Sequence, residues 1–204
     1  MSRQRLTSIR FAAVVTLALV GQPRPCAAQD DTLPVGFGTL RRDDIAVLLT
    51  TDQLQIQVLP LDEQVIRLLA PDTYRSLVGL IATRQAAIDS AAQRGGEPHP
   101  ALVLVTLYGQ VPQARFTPED LNIMSRGRLF RPVGIVPLSP RWNSYQLDAR
   151  EQAVAIYLFE EGLSFRETVT VSYQNLATDA WSRSVRSLDQ ERARVRARAG
   201  SQSH

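Results

Sequence analysis

The sequence predicts a mainly β chain with one long helix: a β-sandwich preceded by a β-hairpin and a helix. Three observations carry this. Residues 53–59, QLQIQVL, set Leu54, Ile56 and Val58 against Gln55 and Gln57, and residues 167–173, ETVTVSY, alternate in the same way. A period of two marks a half-buried strand. Between them, Tyr74, Leu77, Val78, Ile81 and Ile88 recur at helical spacing along one face. From residue 101 onward, short β-branched and aromatic runs follow one another between turn residues, the pattern of two packed sheets.

The first segment reads as a secretory signal peptide. Arg3, Arg5 and Arg10 precede a ten-residue apolar run, FAAVVTLALV, which is followed by Pro23, Pro25 and the small residues Ala27 and Ala28. Cleavage is expected between Ala28 and Gln29. The apolar run is shorter than the roughly 20 residues that span a bilayer, so no transmembrane span is expected in the mature chain. Cys26, preceded by Pro23-Arg24-Pro25, lacks the apolar context of a lipidation site. Export to the periplasm or the medium is the resulting expectation.

Removing residues 1–28 changes the charge. Residues 29–204 hold 19 arginines against 20 carboxylates, a formal −1 in place of the precursor's +3. The acids sit in the body, while residues 182–204 carry six arginines against Asp189 and Glu191. Lysine is absent and the only cysteine is Cys26, so a mature chain has no disulfide and rests on its core. About 175 residues suffice for one domain.

In chain order, residues 29–42 read as a flexible leader with Pro34, Gly36 and Gly38. Residues 45–50 and 53–59 form a hairpin about Thr51-Asp52. Asp62 caps a short turn over 63–69, and Asp72 caps the helix over about 72–93, which Gly95-Gly96 ends. Strands follow at 101–111, 113–116, 122–124, 128–133, 134–138 and 143–147, with one helical turn at 117–120. Residues 152–160, QAVAIYLFE, are apolar on both faces and predict an interior strand. The single β-rich domain is expected to span 43–181. Residues 182–204 form an Arg-rich tail, either disordered or a frayed helix.

Phe116, Gly127, Phe130, the corner Leu147-Asp148-Ala149-Arg150-Glu151 and Phe159 lie in a stretch, about 116–173, that resembles the telokin-like, immunoglobulin-fold extracellular domains of bacteria. The corner lacks that family's proline. The resemblance implies an immunoglobulin-like sandwich and, since such domains are generally non-catalytic, no catalytic residues.

The residue types point the same way. His99 sits between two prolines and His204 is the last residue. No Gly-x-Ser-x-Gly elbow, His-Glu-x-x-His zinc motif, calcium loop or phosphate-binding loop occurs. No catalytic residue, metal or cofactor is therefore expected. The carboxylate pairs Asp30-Asp31, Asp43-Asp44, Glu119-Asp120 and Glu160-Glu161 read as solvated turns.

One stretch, SRGRLFRPVGIVPLSPRW, offers a surface patch of Arg126, Arg128, Arg131, Arg141 and Trp142. Its arginines do not fall on one strand face, and an exported protein meets little nucleic acid, so no nucleic-acid partner is expected. The expected function is an exported, non-catalytic, envelope-associated binding or protein-interaction module. The alternative is a carbohydrate- or peptidoglycan-acting hydrolase using Asp and Glu. The tail is expected to add a weak contact with an anionic surface through Arg192, Arg194, Arg196 and Arg198.

Overall fold

The alternating glutamine run folds as the interior strand β2 (Leu54–Pro60), antiparallel to β1 (Val47–Thr50) on one side and to β3 (Ala101–Gly109) on the other. The computed structural model describes residues 33–202. The expected signal segment, its cleavage site and Asp30-Asp31 lie outside them. In β1, Val47 and Leu49 are buried while Leu48 and Thr50 face out. The hairpin turn is tied by Thr51, whose Oγ1 accepts the amide of Leu54 at 2.8 Å. The strand starts later than expected. Residues Arg42–Ile45 form a single helical turn, α1, because the Asp44 carboxylate accepts the Arg41 amide at 2.7 Å.

Asp62 caps α2 (Glu63–Ile66), its Oδ1 accepting the Gln64 amide at 2.8 Å. The long helix α3 (Pro71–Gly95) begins at the proline, one residue before the expected cap. Proline suits the first helical position because its missing N–H has no partner there in any case. Asp72 instead pairs with Arg75 on the exposed surface. Leu77, Ile88, Ala91 and Ala92 form the buried face of α3. The helix stops at Gly96, which is left-handed at φ 71°.

The remaining strands are β4 (Ala114–Arg115), β5 (Leu121–Ser125), β6 (Arg128–Phe130), β7 (Pro132–Pro137), β8 (Gln146–Leu147), β9 (Gln152–Phe159), β10 (Val169–Tyr173) and β11 (Leu176–Thr178). They make three antiparallel sheets: β1-β2-β3-β9-β7, β11-β10-β5-β6 and the small pair β4-β8. The apolar run over β9 is an interior strand between β3 and β7. The run after Gly127 divides at Arg131: β6 pairs with β5 in one sheet and β7 with β9 in the other. Pro132 cannot donate a ladder hydrogen bond, so it suits the start of an edge strand. Residues Pro140–Ser144 form a 3-10 turn where part of a strand was expected, leaving only Gln146–Leu147 extended.

The inner residues of both large sheets join one core. Tyr157 on β9 donates to the Pro118 carbonyl at 2.9 Å, and its ring stands edge-on to Trp142 at 5.8 Å. Trp142 in turn packs on Phe116 at 5.4 Å. Burial, with the nearby Tyr173, Glu119 and Asp120, pushes the Tyr157 hydroxyl far above the usual tyrosine range.

The described parts of both flanks, residues 33–41 and 181–202, pack on the fold. The Arg-rich tail takes the helical of the two forms expected for it, and residues 33–41 of the expected flexible leader are partly buried. Residues 181–202 form a continuous helix, α4 (Trp181–Gln202). Trp181, Leu188, Glu191 and Val195 are buried. Trp181 packs on Phe165 at 5.6 Å and donates its Nε1–H to the Phe165 carbonyl. Residues 33–41 run as an irregular strap. Leu33 is 1 % exposed. The strap pairs with the α2 region through Leu40 N–H to Leu68 O and Ala70 N–H to Leu40 O. Gly38 makes that approach possible: a Cβ there would lie 2.3 Å from the Leu68 carbonyl carbon.

Candidate functional site

The arginine patch expected between residues 125 and 142 does not assemble as a free basic surface. Arg126 and Gly127 are the two left-handed residues of the β5–β6 turn, at φ 50° and 76°. The Arg126 guanidinium forks onto both carboxylate oxygens of Glu167. This hydrogen bonding raises the Arg126 pKa and holds the Glu167 carboxyl below its usual range. Arg128 pairs with Glu160 and lies 4.8 Å over the Phe130 ring. Arg141 pairs with Glu151 at 2.7 Å. Arg131 is exposed in the one-residue link between β6 and β7. Trp142 is 3 % exposed and is a core residue, which corrects its place in a surface patch. Three of the four arginines thus face a glutamate, and the patch is close to neutral.

The tail arginines are also engaged. Helical winding scatters alternate residues around the axis. Arg192 is 12 % exposed and pairs with Asp189. Arg198 donates to the Phe37 carbonyl at 2.6 Å and to Glu191 at 2.9 Å. Arg194 is open to solvent, 3.5 Å from Glu191. Glu191 itself has no exposed surface and also accepts the Thr39 amide and hydroxyl at 3.0 and 2.8 Å.

A groove that no single segment announces lies where three stretches meet: Leu61–Glu63 after β2, His99–Leu102 at the entry to β3, and Glu161–Phe165 after β9. Its volume is about 350 Å³, within the range of small-ligand sites. The apolar lining is Leu61, Leu163 and Phe165, all buried, together with Leu102. The acidic lining is Asp62, Glu63 and Glu161. Two of these carboxylates are held in place. Asp62 caps α2, and Glu63 Oε1 accepts from Arg67 Nε at 2.6 Å and Tyr74 Oη at 2.8 Å. Desolvation, then the bond to Glu63, raises the Tyr74 hydroxyl pKa. Glu161 and His99 are exposed.

The sequence marks His99 and Glu160-Glu161 as loop residues, and loops they are. What it misses is that residues about 40 to 100 positions apart share one groove. The only local sign is that each lies at the same end of the β2-β3-β9 set of strands. Among the described residues, no group of three or more His, Cys, Asp or Glu side chains is placed to hold a metal ion, and no helix is long and apolar enough to cross a membrane. No family model, curated protein or solved structure matches the chain.

Proposed function

We propose that the protein is an exported, non-catalytic binding or protein-interaction module of the cell envelope. The groove is its contact site, and an arginine- or lysine-bearing segment of a partner protein is its ligand. The observation that carries this is the groove's composition. Apolar walls can take an aliphatic stem, and fixed carboxylates beside them can take its cationic head. Asp62 is held by its cap and Glu63 is already faced by Arg67, so the negative charge open to a ligand is that of Asp62 and Glu161. The reading of export rests on the N-terminal sequence pattern alone. Two antiparallel sheets around one core support an immunoglobulin-like sandwich as the finer description of the fold.

The test is capture from the native envelope fraction with the immobilised protein, run beside the exposed variants Glu161→Lys in the groove and Arg84→Glu on α3. The expected result is a captured protein that Glu161→Lys loses, Arg84→Glu keeps, and salt releases. Capture unchanged by Glu161→Lys refutes the groove. Release of soluble glycan from purified cell wall refutes the non-catalytic reading.

A further inference from the structure

A second cavity, of about 320 Å³, lies at the other end of β2. The strand's seven residues put it roughly 20 Å from the groove. Three tight segments line it: the β1–β2 turn with Asp52 and Gln53, the short strand β4 with Arg115, and the β10–β11 turn with Gln174. Tyr173, 1 % exposed, supplies an aromatic wall.

The frame is braced by its own hydrogen bonds. Thr51 Oγ1 closes the first turn. The Arg115 amide donates to Gln53 Oε1 at 3.3 Å, and Gln174 Nε2 donates to Asp120 at 3.3 Å. The Tyr173 hydroxyl accepts the Thr117 amide at 3.0 Å. Two groups are left over. The Asp52 carboxylate and the Arg115 guanidinium line the same cavity, yet they form no ion pair with each other within 4.0 Å, nor with any other described residue.

We infer that this cavity binds a short zwitterionic ligand, of the class of a free amino acid or dipeptide. Arg115 takes its carboxylate and Asp52 its ammonium. Opposite charges that share a cavity without meeting offer a molecule carrying the complementary pair one partner at each end. A ligand with one charge alone satisfies one wall and meets a like charge on the other. The volume lies near the lower end of small-ligand sites, which suits an amino acid or dipeptide rather than a long oligomer. This assignment is independent of the groove.

The experiment is an NMR titration of the full chain with dialanine, N-acetyl-dialanine and dialanine amide, read at the amides of Gln53, Arg115 and Gln174. Both charged side chains are open to solvent, so each capped probe is expected to bind about fivefold more weakly, the upper range for exposed ion pairs. Asp52→Asn is expected to erase the preference over N-acetyl-dialanine, and Arg115→Gln the preference over dialanine amide. No saturable shift with dialanine overturns the inference, and so does equal affinity for the three probes. If a variant fails to fold by circular dichroism, the probe series on the unaltered chain decides alone.

Discussion

Replacing Glu191 with alanine is expected to loosen both ends of the chain at once. One oxygen, Oε1, accepts from the Thr39 amide, the Thr39 hydroxyl and Arg198 NH1, all within 3.0 Å. Removing one partner of a buried pair costs about 3–5 kcal/mol when the other charge is stranded. Here Arg198 is 40 % exposed and can turn to water, which lowers the figure. Thr39 is itself an exposed residue, so its amide can also reach water in part, and losing this acceptor costs toward the low end of about 1–3 kcal/mol. Alanine also escapes the desolvation of the carboxylate. The sum is a loss of about 2–3 kcal/mol, or a fall in Tm of about 5–10 °C for a domain of this size. Glu191→Gln keeps an acceptor and loses the charge, so about 1 kcal/mol is expected. Urea denaturation followed by the fluorescence of Trp181 and Trp142 measures both variants. An alanine variant within about 0.5 kcal/mol of the unaltered chain refutes the reasoning and shows that the strap and α4 do not limit stability.

The same carboxylate predicts a pH dependence. Burial alone would raise the Glu191 pKa, but the bonds from Arg198 and Thr39 outweigh it and hold the group below 4.5. A depressed folded pKa means the stabilisation is complete above the unfolded value and is lost as pH falls through the folded one. The stability gap between the unaltered chain and Glu191→Gln is therefore expected to be flat from neutrality to about pH 5 and to shrink below about pH 4.5. Glu167, also held low, titrates in both proteins and cancels in the difference.

Trp142→Ala is expected to cost about 3–5 kcal/mol in urea titration, because it empties the space between Phe116 and Tyr157. Tyr157→Phe removes the hydrogen bond to Pro118 and is expected to cost about 1 kcal/mol by the same assay. Gly38→Ala drives a Cβ to 2.3 Å from the Leu68 carbonyl, so the strap must shift; a loss of about 1–3 kcal/mol and faster amide exchange at Leu40 are expected. Deleting residues 182–204 removes the buried Leu188, Glu191 and Val195. A loss above about 5 kcal/mol, comparable to a small domain's whole stability, should leave the truncated chain unfolded by circular dichroism.

What the sequence shows is what short range decides. β2 and β10 bury every second residue as their alternation requires, and β9 is interior because Val154, Ile156 and Leu158 make its second face apolar too. The long helix is legible from Leu77 and Ile88, although its proline start is not where a capping aspartate would put it. The division of the run at Arg131 between two sheets is not legible, because Arg128 to Leu138 reads as β-like throughout and only the pairing partners separate it. The groove is hidden for the same reason: its acids and its histidine come from three loops that the strands bring to one end.

The tail shows how composition can mislead about burial. Six arginines in 23 residues read as a solvated, weakly ordered segment. Yet Trp181, Val185, Leu188 and Val195 recur at intervals of four, three and seven, a helical stripe broken only by Glu191. In the fold, Glu191 occupies the middle of that stripe as a buried residue, because Thr39, 152 positions earlier in the chain, supplies the donors that local sequence cannot. The arginines on either side then have work inside the molecule: Arg198 ties the strap at Phe37, and Arg194 stands near the same carboxylate. A vesicle-binding comparison made by deleting the tail would therefore compare a folded protein with an unfolded one. Charge-neutral substitution at Arg194, the exposed member of that set, leaves the buried stripe intact and isolates the surface contribution.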